Sequence, residues 1–189
     1  MRALSVRLPG LVVIQPAVHA DGRGFFCETY RHNWHSDLGI PAQRQFVQDN
    51  QSRSTRGVVR GMHFQIGEGV AKLVRCARGA IMDVAVDLRR GSPTYGQWEG
   101  VELDDESLRA LYVPVGFAHG FCVLSDVADV VYKQTGYYDA DLERGFVYDD
   151  PDVGIDWPLP PEELSPSERD AHAPRLRDIA GELPFEYAA

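Results

Sequence analysis

Short apolar runs recur along this chain, and turn residues separate them. Runs that are rich in β-branched and aromatic residues and bounded by Gly, Pro, Asn, Asp or Ser are typical of β-strands. The pattern predicts ten strands, at residues 11–15, 24–29, 46–50, 57–65, 72–77, 80–88, 97–103, 111–113, 118–123 and 127–134. Ten strands with few helical patterns between them indicate an all-β sandwich or jelly roll.

Two short helices are predicted outside these strands. The first covers residues 30–38 and ends before Gly39, because glycine often terminates a helix. The second follows Ser165-Pro166-Ser167-Glu168, which matches a capping box with Ser165 as the N-cap, proline at the first helical position and Glu168 at the third. This second helix would carry Arg169 and Asp170.

The segment before the second helix is rich in proline and is predicted to be extended. It contains Val153, Ile155 and Trp157, whose apolar side chains favour burial. We therefore expect a strap that lies over the barrel rather than a free linker. With 189 residues the chain fits one domain, which would have a jelly-roll core at about residues 22–150 and a C-terminal strap and short helix at about 151–189.

Composition narrows the class of protein. Hydrophobic residues make up 44% and charged residues 25%, as is typical of soluble globular proteins. The formal net charge of −9 argues against nonspecific nucleic-acid binding, so an anionic ligand would need a local cluster of cations. No apolar run is long enough to span a bilayer, and the N-terminal residues lack a signal-peptide core. We expect a cytoplasmic protein that binds neither nucleic acid nor membrane.

The three cysteines, Cys27, Cys76 and Cys122, are odd in number and widely spaced, and no Cys-x-x-Cys pair occurs. The spacing therefore carries no zinc or thioredoxin-type signal. Each cysteine has apolar neighbours in a strand-like run, so we expect buried free thiols.

Two histidines are candidates for chemistry. His63 and His119 each lie in a strand-like run that contains glycine, and Arg60 precedes His63 by three residues. A histidine in a strand is more often structural than catalytic. A histidine beside a fixed cation is nevertheless suited to remove a proton next to an anionic substrate, because imidazole titrates near neutrality. The interpretation depends on whether the two segments meet in space.

Strand geometry separates the first of these histidines from its arginine. Side chains alternate between the two faces of a strand, which places Arg60 and His63 on opposite faces. A bulge at Gly61 would re-aim one of them toward the face of the other. The sequence leaves both arrangements open.

Three further side chains have both a structural and a functional interpretation. Lys72 opens a strand and would, taken alone, be an exposed lysine at a strand end. Tyr132 within a strand is either packed with its hydroxyl hydrogen-bonded or a proton donor. Tyr138 follows Gly136 and Tyr137 at a strand end, a typical place for a rim aromatic that stacks on a base or sugar.

A metal centre is not predicted. Jelly rolls often bind metals through His-x-His, a carboxylate a few residues later and a further histidine. Here His63 is followed by Phe64 and Gln65, and Glu68 alone cannot supply the remaining ligands. Catalysis would then depend on side chains and not on a metal ion.

Seven sequence blocks occur in order along the chain: Gln48-Asp49-Asn50-Gln51-Ser52, Gly57 to Gln65, Lys72-Leu73-Val74-Arg75, Asp83-Val84-Ala85-Val86-Asp87, Gly91-Ser92-Pro93-Thr94-Tyr95-Gly96, Pro114 to Phe121 and Ile155-Asp156-Trp157-Pro158. Together they make the chain resemble the dTDP-4-dehydrorhamnose 3,5-epimerase family over about residues 22–174. Any one block is weak, but the ordered set is highly specific.

The resemblance implies a fold, a partner and a reaction. The fold would be a cupin-type jelly roll, or double-stranded β-helix, in a homodimer without metal or organic cofactor. The substrate would be dTDP-4-dehydro-6-deoxy-D-glucose, a dTDP-4-keto-6-deoxyhexose, which is epimerised at C3 and C5 to dTDP-4-dehydro-L-rhamnose in deoxysugar biosynthesis.

The resemblance also implies roles for particular residues. His63 would be the general base, oriented by Asp170, while Tyr132 would be the acid on the opposite face and Lys72 would stabilise the enolate oxygen. Substrate-binding positions would be Arg23, Glu28, Gln48, Asn50, Arg60, His119, Tyr138, Glu143 and Arg169. Of these, Arg60 and His119 would hold the diphosphate and sugar region, and Tyr138 would stack on thymine.

Two alternatives stay open. Relatives that invert only C3 or only C5 keep the same histidine, tyrosine and lysine, so the sequence does not distinguish a mono-epimerase. A nucleotide-sugar-binding jelly roll without turnover is the second alternative, although it has no need of a base and an acid. The chain also departs from the family at Arg169, where lysine is common.

Overall fold

The computed structural model describes residues 1–34, 38, 40 and 45–188. Its strands are β1 (Arg2–Leu4), β2 (Val12–Gln15), β3 (Val18–Asp21), β4 (Gly24–Cys27), β5 (Gln48–Thr55), β6 (Val58–Gln65), β7 (Lys72–Arg78), β8 (Ala80–Asp87), β9 (Trp98–Asp104), β10 (Ala110–Val113), β11 (Phe117–Val123), β12 (Val127–Gln134), β13 (Glu143–Gly145) and β14 (Ser165–Pro166). The helices that lie wholly within the described residues are α1 (Glu168–Ala171) and α2 (Leu176–Ile179), with single 3₁₀ turns at Pro161–Glu163 and Ala180–Glu182.

Two large sheets form the barrel, and a separate hairpin lies apart from them. The first sheet has the strand order β1-β2-β10-β7-β12-β5, and the second has the order β13-β6-β11-β8-β9. The strands within both paths pair antiparallel, whereas β14 adds to β6 in parallel. β3 and β4 form the two-stranded hairpin. The predicted all-β jelly roll is confirmed.

The main core lies between the two sheets. Alternate residues of β8 and β11, such as Ile81, Ala85, Phe117 and Phe121, point inward and pack against residues of β7, β10 and β12. This is the packing that strands with one buried face require. The inward row of β8 also includes a fully buried carboxylate, Asp83.

The C-terminal segment packs on the outer face of the second sheet. Val153 is buried there, and Ile155 and Trp157 are half-buried against the same cluster, which also contains Leu183 and Phe185. The Trp157 indole N–H donates to the Tyr148 carbonyl over 3.0 Å. The segment is therefore a strap over the barrel, as its apolar residues predicted.

All ten predicted strands have counterparts, with ends that shift by a few residues. The largest difference is in β5, which was predicted at residues 46–50 and extends to Thr55 through polar residues. These residues pair with β12 along its whole length, so the partner strand overrides their low β propensity. The short strands β1, β3, β13 and β14 were not predicted.

The N-cap predicted for the second helix, which is α1 in the structure, is wrong. Ser165 and Pro166 form β14, and the helix begins two residues later with Ser167 as its N-cap. The Ser167 hydroxyl accepts a hydrogen bond from the Asp170 backbone N–H over 3.1 Å. Pairing of residues 165 and 166 with β6 moves the helix start. The helix predicted at 30–38 includes residues that lie outside the described ones.

No helix in the described part of the chain is long and apolar enough to cross a membrane.

Two glycines allow an irregular close approach between β6 and β11. His119 pairs with His63 and Phe121 with Arg60, so β6 has one more residue than β11 in this interval. Gly61 has a φ of +135°, and a Cβ there would lie 2.6 Å from the Gly120 Cα. A bulge of this kind shifts the alternation of side chains by one position. The bulge considered from the sequence is therefore present.

Substitution of Gly61 by alanine should lower the free energy of unfolding by about 2–4 kcal/mol, because the methyl group meets backbone atoms and φ is positive. Chemical denaturation measures this change. Gly22→Ala is the matched control, since its Cβ would have no neighbour within 4 Å, and it should change stability by less than about 0.5 kcal/mol. Equal effects of the two substitutions would contradict the close approach.

Candidate active site

A cavity of about 490 Å³ opens between the two sheets. The first sheet contributes side chains from β5, β7 and β12, and the second contributes side chains from β6 and β11. Residues 165–170 of the C-terminal segment form a further part of its wall. The cavity brings together seven of the predicted site residues: Arg60, His63, Lys72, His119, Tyr132, Arg169 and Asp170.

A hydrogen-bonded pair lies on the second-sheet side of the cavity. His63 Nε2 is 2.7 Å from Asp170 Oδ1, and the Asp170 side chain is almost fully buried. Burial raises the pKa of Asp170, but the contact with His63 and hydrogen bonds from Gly61 and Ser167 outweigh it and lower the pKa. An ionised Asp170 accepts the Nε2 proton, which leaves Nδ1 of a neutral His63 as the basic atom.

Lys72 and His119 form a second polar group in the cavity wall. His119 Nδ1 lies 3.5 Å from Lys72 Nζ, and His119 Nε2 lies 3.0 Å from each carboxylate oxygen of Asp83. The three residues come from β7, β11 and β8, so the contact crosses from one sheet to the other.

Burial alters the titration of both basic groups. It lowers the pKa of Lys72 to about 8, although the charges of Asp83 and Glu143 oppose this change. It also lowers the pKa of His119, a change that Lys72 reinforces and Asp83 opposes. At neutral pH the pair is therefore a protonated lysine beside a neutral imidazole.

Tyr132 lines the cavity from the sheet that does not contain His63. It belongs to β12 in the first sheet, whereas His63 belongs to β6 in the second. Burial raises the pKa of Tyr132, and the nearby charge of Glu143 raises it further, so the phenol stays protonated at neutral pH. The cavity thus receives a basic atom from one sheet and a protonated phenol from the other.

Arg60 faces the same cavity as His63, although simple alternation places the two side chains on opposite faces of the strand. The bulge between β6 and β11 accounts for the difference, because it inserts one residue between them. The Arg60 Nε donates to the Ser54 hydroxyl over 3.1 Å, and among the hydrogen bonds of the described residues its terminal nitrogens take part in none.

An ion pair joins the C-terminal segment to the rim. Arg169 Nη1 is 2.6 Å from Glu143 Oε2, and the Tyr138 hydroxyl donates to the same oxygen over 3.2 Å. Tyr138 is half exposed at the protein surface. The three residues come from α1, β13 and the segment after β12, so their contacts hold these parts together.

The polar face of β5 continues the cavity toward this rim. The Gln48 side chain donates to Asn50 Oδ1 over 2.9 Å and accepts a hydrogen bond from the Tyr138 backbone N–H. Within the described residues, Asn50 Nδ2 and Ser52 Oγ are buried and have no hydrogen-bond partner. Unpaired buried polar atoms are costly, so two such atoms on one strand face indicate a polar ligand.

Two predicted substrate-binding residues lie away from the cavity. Arg23 is exposed on the β3–β4 hairpin and pairs with Asp21 at 2.6 Å. Glu28 follows this hairpin and pairs with Arg31. Neither residue is part of the cavity wall.

Cys76 and Cys122 are buried free thiols, and burial raises the pKa of each to about 11. Cys27 is only half-buried, so the expectation of burial is wrong for this residue. The described residues contain no group of three or more His, Cys, Asp and Glu side chains that could hold a metal ion.

Asp83 and Ser52 were not among the predicted site residues. Asp83 had a signal in the sequence, since it is a charged residue between the apolar residues Ile81 and Ala85 on one face of a strand. Ser52 lies two residues after Asn50 and therefore shares its face. Whether Ser52 faces a cavity depends on which strand pairs with β5, and the sequence pattern does not reveal this pairing.

Comparison with known proteins gives consistent relatives. Residues 5–178 match the family described as dTDP-4-dehydrorhamnose 3,5-epimerase. The chain is 48% identical over 178 residues to the dTDP-4-dehydrorhamnose 3,5-epimerase of Methanothermobacter thermautotrophicus, covering 94% of this chain and 95% of that protein. It is 45% identical over 186 residues to the dTDP-4-dehydrorhamnose 3-epimerase of Streptomyces niveus, covering 97% and 89% of the two chains.

The fold is also similar to a solved structure. The crystal structure of dTDP-6-deoxy-D-glucose-3,5-epimerase from Legionella pneumophila, in complex with dTDP-4-keto-L-rhamnose, superposes with a TM-score of 0.94 at 45% identity. The match covers 100% of this chain and 99% of that chain. The cupin-type form of the jelly roll is thereby confirmed.

Substitution of Ser167 by alanine should destabilise the protein by about 1 kcal/mol, because helix α1 loses its N-cap. Ser165→Ala is the matched control: it lies in β14, pairs through its backbone and should cost less than about 0.5 kcal/mol. Chemical denaturation of both variants measures the difference. A larger cost for Ser165→Ala would restore the capping box predicted from the sequence.

Proposed function

This chain belongs to the dTDP-4-dehydrorhamnose 3,5-epimerase family, and we propose that it converts dTDP-4-dehydro-6-deoxy-D-glucose to dTDP-4-dehydro-L-rhamnose by inverting C3 and C5. The protein is a carbohydrate epimerase, a class of isomerase. The observation that carries the proposed chemistry is one cavity with the His63–Asp170 pair on one wall, Tyr132 on the other and Lys72 beside them.

The reaction begins with the loss of a proton from carbon. C3 and C5 are both adjacent to the C4 ketone, so removal of either proton forms an enolate. His63 is the base, and it takes the proton on Nδ1 because Nε2–H is engaged by Asp170. The ionised Asp170 then stabilises the imidazolium that forms.

The enolate oxygen requires a cation. Neutral imidazole is a weak base for a carbon acid unless the developing oxyanion is stabilised by a preorganised charge. Lys72 supplies that charge as an ammonium group in the cavity wall. Since the pKa of Lys72 is about 8, the ammonium form is present at neutral pH and is lost as the pH rises through this value.

Tyr132 completes the inversion. The enolate carbon regains a proton from the phenol on the face opposite His63, which inverts the centre and leaves a phenolate. The phenolate takes up a proton from solvent and His63 releases one, so the protein returns to its starting state. The same pair acts at each carbon after the sugar changes its position in the cavity.

Binding of the nucleotide part uses the remaining residues. Arg60 lines the cavity, its terminal nitrogens make no hydrogen bond to another described residue, and guanidinium groups suit the oxygens of a diphosphate. His119 lies beside Lys72 near the sugar. Gln48, Asn50, Glu143 and Arg169 line the approach, where Tyr138 stacks on the thymine base.

We further propose a homodimer that completes this binding site. The β3–β4 hairpin exposes Phe25 and Phe26, with 58% and 66% of their surfaces accessible, and exposed aromatic pairs of this kind are typical of interfaces. Arg23 and Glu28 flank them and lie outside the cavity of their own chain. A second copy that receives this hairpin would bring both residues to its site.

We also propose a cytoplasmic location. The three free cysteines are consistent with the reducing conditions of the cytoplasm.

A mono-epimerase is the second candidate. The relative from Streptomyces niveus is named a 3-epimerase and is 45% identical over 97% of this chain. The His63–Asp170 pair, with Tyr132 on the opposite wall, serves either reaction, so the number of centres inverted must be measured.

The proposed function predicts the pattern of deuterium in the product formed in deuterated water. NMR of the sugar should show deuterium at both C3 and C5, with both centres inverted. Inversion at C3 alone would support the mono-epimerase. His63→Asn should abolish exchange at both carbons by at least about 100-fold, since removal of a general base costs this much. His172→Asn, at an exposed histidine outside the cavity, is the control; persistent exchange in His63→Asn would place the base elsewhere.

Tyr132→Phe should separate exchange from inversion. The variant keeps the base, so deuterium still enters at carbon, but the donor on the opposite face is lost and inverted product should fall by about 100-fold. The same NMR measurement reports both quantities. Wild-type yields of inverted product would remove Tyr132 from the mechanism.

Phe26→Glu should convert the dimer to a monomer, because it places a charge in an apolar contact. Sedimentation velocity measures the assembly state. The control is Tyr95→Glu, at an exposed aromatic residue outside the hairpin, which should leave the dimer intact. A monomeric wild-type protein would contradict the proposed dimer.

A further inference from the structure

Asp83 is a carboxylate in the apolar interior of the barrel. It lies on the inward face of β8, between Ile81 and Ala85 of the main core, and its side chain is completely buried. Removing a carboxylate from water is costly unless it is paired and hydrogen-bonded. Among the hydrogen bonds of the described residues, its side chain has a single partner, His119.

A second buried carboxylate on the same strand has a different environment. Asp87 is also completely buried, but it accepts hydrogen bonds from Arg89, Ser92 and Thr94. These contacts hold the turn after β8, and Asp87 is not part of the cavity wall. Asp87 therefore has an evident structural role, whereas Asp83 is directed only toward a residue of the active site.

We propose that Asp83 is a positioning residue for the epimerisation: it holds His119 with Nδ1 toward Lys72 and supplies the buried negative charge that keeps Lys72 a cation. This inference rests on the function proposed for Lys72. It assigns a role to a residue that touches neither the substrate nor the reacting atoms.

The first part of the inference follows from hydrogen-bond chemistry. The Asp83 carboxylate only accepts hydrogen bonds, so His119 must carry its proton on Nε2. In a neutral imidazole this leaves Nδ1 as an acceptor, 3.5 Å from the Lys72 ammonium, which only donates. The opposite tautomer would turn an N–H toward the ammonium group. Asp83 thus fixes the direction of both contacts: His119 donates to Asp83 through Nε2 and accepts from Lys72 through Nδ1.

The second part follows from the charges around Lys72. The cavity wall holds Arg60, His63, His119 and Arg169, and of these both arginines are always cationic. The negative groups are Asp170, which is engaged with His63, Glu143, which is engaged with Arg169, and Asp83; Tyr132 is neutral. Of the charges that favour the ammonium form of Lys72, Asp83 has the largest effect and Glu143 the next.

The composition of the chain permits a direct test. Lys72 and Lys133 are its only lysines. Protein labelled with ¹³C at lysine Cε therefore gives two side-chain NMR signals, whose pH titrations report the two ammonium groups without any substrate. Lys133 pairs with Asp49 at 2.8 Å on the opposite side of β12 from the core and serves as an internal reference. Lys133→Arg assigns the signals.

Asp83→Asn should lower the titration midpoint of Lys72 by about one pH unit or more, the usual effect of one nearby opposite charge. The amide oxygen still accepts from His119 Nε2, so the geometry can persist while the charge is removed. Asp87→Asn is the matched control: it also removes a buried carboxylate from β8, and it should destabilise the protein while leaving the Lys72 midpoint unchanged. An unchanged Lys72 midpoint in Asp83→Asn would overturn the inference.

A measurement on the wild-type protein covers the case in which Asp83→Asn does not fold. ¹⁵N NMR of the histidine rings distinguishes the tautomers, and His119 should carry its proton on Nε2. A proton on Nδ1 would overturn the inference without any substitution.

Kinetics separate this inference from the proposed function. The alkaline limb of kcat should shift to lower pH in Asp83→Asn by the same amount as the Lys72 midpoint, with little change in KM. If the Lys72 midpoint falls but the limb of kcat does not move, the link between Asp83 and Lys72 stands. In that case the role of Lys72 in the reaction is wrong.

Discussion

The hydrogen bond between His63 and Asp170 is the contact on which the site depends. It joins residues that are 107 positions apart and links the second sheet to the segment that closes the cavity. Three features bring Asp170 to this position: the strap lies on the outer face of the sheet, β14 pairs with β6, and α1 begins after Ser167, its N-cap. The packing of the C-terminal segment thus determines the geometry of the His63–Asp170 pair.

The cavity is lined by cationic side chains, although the chain as a whole has a net negative charge. The protein carries a formal net charge of −9, yet Arg60, Lys72 and Arg169 all line one cavity. Burial disfavours charged groups, and it lowers the pKa of Lys72 to about 8. Carboxylates outside the cavity wall offset part of the cost. An anionic ligand would offset more of it, which is the physical basis for its binding here.

Much of this structure could be predicted from the sequence, for identifiable reasons. The apolar strands were predicted because β-branched runs and turn residues alternate regularly. The family resemblance named seven residues that line one cavity. The features that depend on strand pairing in the folded structure were not predicted. Serines at 165 and 167 both suit an N-cap, and only the pairing of β14 decides between them. The second half of β5, the direction of Arg60 and the location of Arg23 depend likewise on neighbours distant in sequence.

The long sequence separation of His63 and Asp170 has a consequence for the order of folding. His63 and Tyr132 lie in strands of the two sheets, whereas Asp170 follows β14 in the C-terminal segment. A barrel whose sheets have paired while this segment is still undocked holds His63 without the carboxylate that accepts its Nε2 proton. In that state either imidazole nitrogen can carry the proton. Docking of the segment is therefore the step that selects one tautomer.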